Sequence, residues 1–267
     1  DVYVSAFRAL SPVGTHHTVL SVDRSIGSGE PDATFECDAA TNGQNMLYGS
    51  GVGTLPVELP DGVAIKIAKG ESLFLNLHLF NVSPEPLSDR SGIEVLTVPA
   101  AEVVHEAEIV LAGKVAGLLV PPGASTQTGA CNMSHDVTLF AAFPHMHQLG
   151  SHLKATAVPV DGSPTVLVDA PFSFDDQIYH AVDPRLSLKA GDRVDVECSY
   201  ENPGLETIPF GDSSTQEMCF VGLYRYRTVD EMMQLGGADN FKKTVMRDLD
   251  RRRDEHAPEE EKLQKTA

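Results

Sequence analysis

Tryptophan is absent, and basic side chains are scarce: 20 lysines and arginines stand against 38 aspartates and glutamates, a net charge of −18. A surface of that sign repels phosphates and anionic lipid headgroups, so nucleic acid is excluded as a partner. No apolar run approaches the ~18 residues that span a bilayer, and no membrane insertion is expected. Cysteine is sparse, with four residues and no Cys-x-x-Cys pair. That spacing argues against a zinc ribbon or a thioredoxin-type site and leaves disulfides and metal ligation both open. No Gly-x-Gly-x-x-Gly or phosphate-loop motif signals an organic cofactor.

Against those absences, 22 glycines and 17 prolines are scattered through 267 residues, a pattern of many short strands joined by tight turns. Strand-like runs recur at Val2 to Leu10, Thr18 to Val22, Val63 to Ile67, Ser72 to Asn81, Ile93 to Val98, Glu106 to Leu111 and Lys114 to Val120. After Pro121-Pro122-Gly123 they resume at Val137 to Phe143, Leu153 to Pro159, Thr165 to Val168, Arg185 to Leu188, Arg193 to Tyr200 and Cys219 to Tyr226. No long helical pattern separates them, so a parallel βαβ sheet is excluded and an all-β fold is expected. The interruption between residues 113 and 123 predicts two β domains, 1–115 and 116–228. From Val229 the composition turns charged; Phe241, Val245 and Leu249 at i, i+4 and i+8 predict one short helix, followed by a disordered tail to residue 267. The start at Asp1, with neither initiator Met nor leader, fits a processed N-terminus and an oxidising destination: secreted, periplasmic or similar.

The ten histidines carry the chemistry. His145 and His147, at i and i+2, share one face of a strand and can reach one ion, with Met146 turned away. His16 and His17 would point to opposite faces, so shared ligation needs a bulge or strand end, which Gly14 and Thr15 permit. His78 lies mid-strand opposite Leu77 and Leu79, a position that also suits a hydrogen-bonded core imidazole. His105, His135, His152, His180 and His256 are isolated and read as surface or hydrogen-bonded residues.

Read together, PVGTHHTVL, LNLHLFN, FPHMHQLG and STQEMCFVGLYRY closely resemble, in that order, the copper type II, ascorbate-dependent monooxygenases, the family of dopamine beta-monooxygenase and peptidylglycine alpha-hydroxylating monooxygenase. The resemblance implies one copper on His16, His17 and His78. It implies a second on His145, His147 and Met218, with Gly150 completing HxHxxG and Glu217-Met218-Cys219 the Met-bearing tripeptide. Smaller agreements are Ser91-Gly92-Ile93, the Pro121-Pro122 hinge and Cys198 in VECSYEN. Imidazoles and a thioether suit a metal alternating between soft Cu(I) and harder Cu(II), whereas calcium or magnesium would call for carboxylates.

The resemblance further implies two tandem antiparallel jelly-roll sandwiches, a Cys198–Cys219 disulfide, and hydroxylation of a C–H bond of a small substrate by O2 with ascorbate or a similar reductant. Substrate would meet O2 at the His145, His147, Met218 set, and the other set would supply the second electron across a solvent-filled cleft. A non-catalytic copper-handling protein of the same fold is the alternative. Phe143 stands where the peptidylglycine enzyme has a carboxylate-gripping Arg, and Phe220 and Gly222 replace two further peptide-binding positions. The expected substrate pocket is therefore apolar, for a neutral or aromatic molecule. Cys37 and Cys131 have no complete counterpart; they could pair across the two units or remain free thiols, and the oxidising setting favours pairing.

Overall fold

The computed structural model describes residues 1–23, 44–51, 53–79, 81, 84–211 and 213–228. The expected C-terminal helix and tail, His256 and Cys37 lie outside the described residues, and with Cys37 the expected Cys37–Cys131 pair. The first strands are β1 (Val2–Leu10), β2 (Thr15–Asp23), β3 (Gln44–Gly51), β4 (Val57–Glu58), β5 (Val63–Ile67), β6 (Ser72–Leu79), β7 (Gly92–Val98) and β8 (His105–Gly113). They are followed by β9 (Leu119–Val120), β10 (Gly123–Asn132), β11 (Val137–Met146), β12 (Gly150–Val158), β13 (Thr165–Pro171), β14 (His180–Leu188), β15 (Arg193–Asn202), β16 (Ile208–Pro209) and β17 (Cys219–Arg227). The all-β architecture is as expected, with one local correction. Of the expected strand from Lys114 to Val120 only Leu119–Val120 forms, because Gly117 takes a positive φ of 69° in a turn.

Three sheets build the body, beside a two-stranded pair of β16 and β9. The eight-stranded sheet runs β14-β11-β17-β8-β5-β1-β4 with β7 on β1, a four-stranded sheet runs β10-β15-β12-β13, and a three-stranded sheet runs β3-β2-β6. Pairing is antiparallel except between β5 and β8. One apolar core draws on the three-stranded sheet and the large sheet, joining Val4, Phe7, Leu20, Tyr48 and Ile65 to Phe140, Phe143 and Tyr224. The other draws on the four-stranded sheet and the large sheet, joining Leu153, Val196 and Tyr200 to Leu139, Met146, Val221 and Leu223.

Both cores include residues of β11 and β17. In β17, Tyr224 and Tyr226 enter the first core while Cys219, Val221 and Leu223 enter the second. This explains why VTLFAAFPHM and CFVGLYRYR are apolar almost throughout: with both faces covered, alternation disappears. The bulge between Leu139 and Ala141 shifts the alternation by one residue and sends Phe140 and Ala141 both to the first core.

Candidate metal centre

Strand register assembles the first histidine set. His17 pairs directly with His78 across β2 and β6, and the register shifts between Thr15 and His17, leaving His16 as the extra residue of a bulge. The bulge removes the obstacle that adjacent strand residues face opposite ways. The Nδ1 of His17 lies 3.3 Å from that of His16 and 3.2 Å from that of His78, and one nitrogen from each ring falls within 4.8 Å of the others. Nitrogens bound at ~2.0 Å to a tetrahedral or trigonal ion stand about 3.3 to 3.5 Å apart, so the spacing fits a small transition-metal ion.

The second set forms where β11 meets β17. His145 sits opposite Phe220, and the rings of His145 and His147 are 5.2 Å apart, edge to face. Met146 between them turns into the other core. The Nδ1 of His145 is 3.0 Å from Oε1 of Gln177, and that of His147 is 3.0 Å from the carbonyl oxygen of Gln216. Carbonyl oxygens only accept, so both rings carry their proton on Nδ1 and keep a bare Nε2 as metal donor. The Gln177 amide is oriented in turn by its Nε2, which donates to the Phe174 carbonyl at 3.3 Å.

Buried Glu217 ties the backbone of Met218 to the turn from His147 to Leu149. Its Oε2 accepts the backbone N–H of His147 at 3.0 Å and of Met218 at 3.3 Å, while Oε1 accepts that of Leu149 at 2.7 Å. One carboxylate thus anchors the His-bearing turn and the approach to β17 together. The Tyr200 hydroxyl donates to the Met218 carbonyl at 2.7 Å, and the Cys198–Cys219 disulfide implied by the resemblance is present. Gly150 closes the turn: a Cβ there would lie 2.8 Å from Cβ of Met146 and 3.0 Å from the Phe172 ring, so the HxHxxG glycine is required sterically.

Burial lowers the pKa of all five imidazoles. His17, which also faces four other histidines, falls from the ordinary 6.5 to about 3, and His147, with His145 beside it, to about 4. His16, His78 and His145 shift the same way for the same first reason. All are therefore neutral near pH ~7, the form that ligates metal. Burial raises the Glu217 carboxyl to about 7 against the opposing pull of its three N–H donors.

The two sets adjoin. The ring centroids of His17 and His145 are 6.5 Å apart. The phenyl ring of Phe174 stacks on His16 at 4.2 Å and meets His147 edge-on at 5.7 Å. A cavity of about 450 Å³ opens beside them, lined by His16, His78, Gln148, Phe172, Phe174 and Asp175 among others. None of Phe143, Phe220 and Gly222, expected to shape a substrate pocket, lines it. Instead Phe143 packs in the first core, Gly222 pairs with it, and Phe220 stands opposite His145. Of the isolated histidines, His105 stacks on Tyr226 at 4.1 Å and His152 pairs with Asp169 at 3.1 Å, partners that belong to neither set. Sequence reasoning missed Phe174 and Gln177. The available signal was a loop, PFSFDDQIY, richer in aromatics than its neighbours.

A family model for the copper type II ascorbate-dependent monooxygenase, C-terminal domain, matches residues 105–240. Human and mouse proteins sharing the designation DBH-like monooxygenase protein 2 are each 25% identical to the chain, over 201 and 215 residues. Those alignments take in 68% and 73% of this chain but 40% and 35% of the relatives, so the chain spans well under half the length of the curated relatives it matches. A solved structure of infectious bursal disease virus Gx strain is similar over 85% of this chain and 57% of its own, at 12% identity and a TM-score of 0.26, too low to bear on fold or function.

Proposed function

The chain belongs to the copper type II ascorbate-dependent monooxygenase family, and from that premise we propose that it hydroxylates a C–H bond of a small substrate with O2 and an ascorbate-like reductant. The carrying observation is the donor chemistry. Five neutral imidazoles lie in two adjoining groups, the Met218 backbone is tied through Glu217 to that of His147, and neither proposed ligand set includes a carboxylate, which fits copper and not calcium or magnesium. His16, His17 and His78 would hold one ion through Nδ1, within residues 1–115. His145 and His147 through Nε2, with Met218, would hold the other, within residues 116–228. Copper, when bound, supplies single electrons and the activation of dioxygen.

The remaining requirements fall on the chain. Burial keeps the imidazoles unprotonated, Gln177 and the Gln216 carbonyl select the ligating nitrogen, and Glu217 aligns the two segments that bear the second set. Phe143 and Phe220, both nearly inaccessible, keep water from the face of β11 and β17 that carries His145. The lack of a cation at position 143 counts against a glycine-terminated carboxylate and favours a neutral or aromatic substrate. The disulfide suits an oxidising compartment, and no helix among the described residues is long and apolar enough to cross a membrane.

The test is copper quantification after reconstitution, followed by ascorbate-dependent oxygen uptake over aromatic amines, glycine-terminated and amidated peptides, and simple hydrocarbons. Two ions per chain with substrate-dependent uptake is the expected result. Two ions with no uptake on any substrate leaves the second reading, a copper-handling protein of the same fold. Failure to bind copper overturns both.

A further inference from the structure

The segment Phe172–Gln177, between β13 and β14, touches both ligand sets and is fastened at both ends. The Phe172 N–H donates to the Ser151 carbonyl of β12 at 2.9 Å, and a tight turn closes where the Asp176 N–H meets the Ser173 carbonyl at 3.2 Å. At its far end the segment rests on the turn after β3. The Thr54 hydroxyl donates to the Gln177 carbonyl at 3.2 Å and itself accepts the Gly51 N–H at 2.9 Å. Contact there is close enough that a Cβ at Gly51 would come within 3.2 Å of the Gln177 side chain, and one at Gly53 within 3.1 Å of Asp176 Oδ1.

Between these fastenings lie the contacts with the histidines. Phe174 stacks on His16 of the first set and meets His147 of the second, while Gln177 accepts from His145. Strands β2 and β6 carry the first set on one sheet, and the end of β11 with the turn after it carries His145 and His147 of the second on another. We propose that Phe172–Gln177 is a strap that fixes the spacing between the two ligand sets, with Phe174 as its positioning residue. Electron exchange between two sites falls steeply with separation, so a strap of this kind sets a rate that neither set controls alone. The inference rests on the copper reading of both sets.

The test uses the full chain loaded with two Cu(II) ions and reads spin–spin coupling by electron paramagnetic resonance, from dipolar broadening and the half-field signal. Wild type is expected to show dipolar coupling, and a wild type with both ions bound but no measurable coupling overturns the strap. Phe174→Ala removes the ring; Thr54→Val keeps shape but cuts the fastening without touching either set. Both variants are expected to retain two ions, with coupling reduced several-fold in Phe174→Ala and in the same direction in Thr54→Val. Should Phe174→Ala not fold, Thr54→Val alone decides. Undiminished coupling with both ions bound overturns the strap, and strengthened coupling does so too, because the ring would then be a wedge holding the sets apart. A wild-type chain that binds no second ion removes the copper reading itself, a failure that metal analysis distinguishes from the others.

Discussion

His17 and His145, from the three-stranded and the eight-stranded sheet, stand with ring centroids 6.5 Å apart, and His145 makes protonation of His17 harder, as His16 does that of His145. The two sets are therefore one electrostatic unit in the metal-free protein, and their shared aversion to protons is measurable.

The first prediction is a pH dependence of stability without metal. Unfolded, each imidazole takes a proton near its ordinary 6.5; folded, His147 resists until about 4 and His17 until about 3. Across that window the unfolded chain binds more protons, so stability is full above about 6.5 and is lost as pH falls. Glu217 has the opposite sign: its carboxyl, raised from 4.5 to about 7, stays protonated in the folded state after the unfolded chain has released the proton. The histidines outnumber it, so the thermal midpoint of the apo-protein should climb between pH ~4 and ~6.5 and level off near ~7. A midpoint falling over that range would show Glu217 to dominate.

Stoichiometry is the second. His16→Ala and His145→Ala should each remove one copper and leave the other bound. Loss of both ions from either change would mean a single shared site.

Met218→Ile is the third. The replacement keeps volume and apolarity, so the fold should lose less than ~1.5 kcal/mol. Cu(I) affinity at the second set and oxygen-dependent turnover should fall steeply, with the first copper retained. Unchanged Cu(I) binding would reduce Met218 to a packing residue.

The fourth concerns Gln177, almost fully buried with its Oε1 on His145. Gln177→Leu removes the acceptor that fixes the His145 tautomer, and second-set affinity should drop about 10- to 100-fold, as for other partners of ligating histidines. Calorimetric titration of the two sites separately would reveal a change confined to the second; equal affinities would assign Gln177 to packing.

Apolar runs bounded by turn residues made β1 and β5 legible to the residue, and the i, i+2 rule placed His145 and His147 on one face with Met146 on the other. Both faces of β11 and β17 are covered, yet their apolar runs were long enough to mark strands. By contrast QNMLYGSG and GASTQTGACN, the strands β3 and β10, are too polar and glycine-rich to announce themselves. Gln177 and Phe174 were illegible for another reason: their roles depend on which turn the loop lands on, and no local periodicity encodes that. Glu217 was visible only as part of a tripeptide, because two of its three backbone donors, His147 and Leu149, come from a turn distant in sequence.

Sharing β11 and β17 between two cores has a consequence for dissection of the molecule. A chain cut between residues 113 and 123 would strip Phe140, Phe143, Tyr224 and Tyr226 from the core they share with Val4, Phe7 and Tyr48, and would leave β8 without β17 beside it. Each fragment would present to water an apolar surface that is now interior, along with an open sheet edge, a combination that favours aggregation over independent folding. Either copper set is thus best studied by disabling its ligands in the intact chain, never by excising the half that carries it.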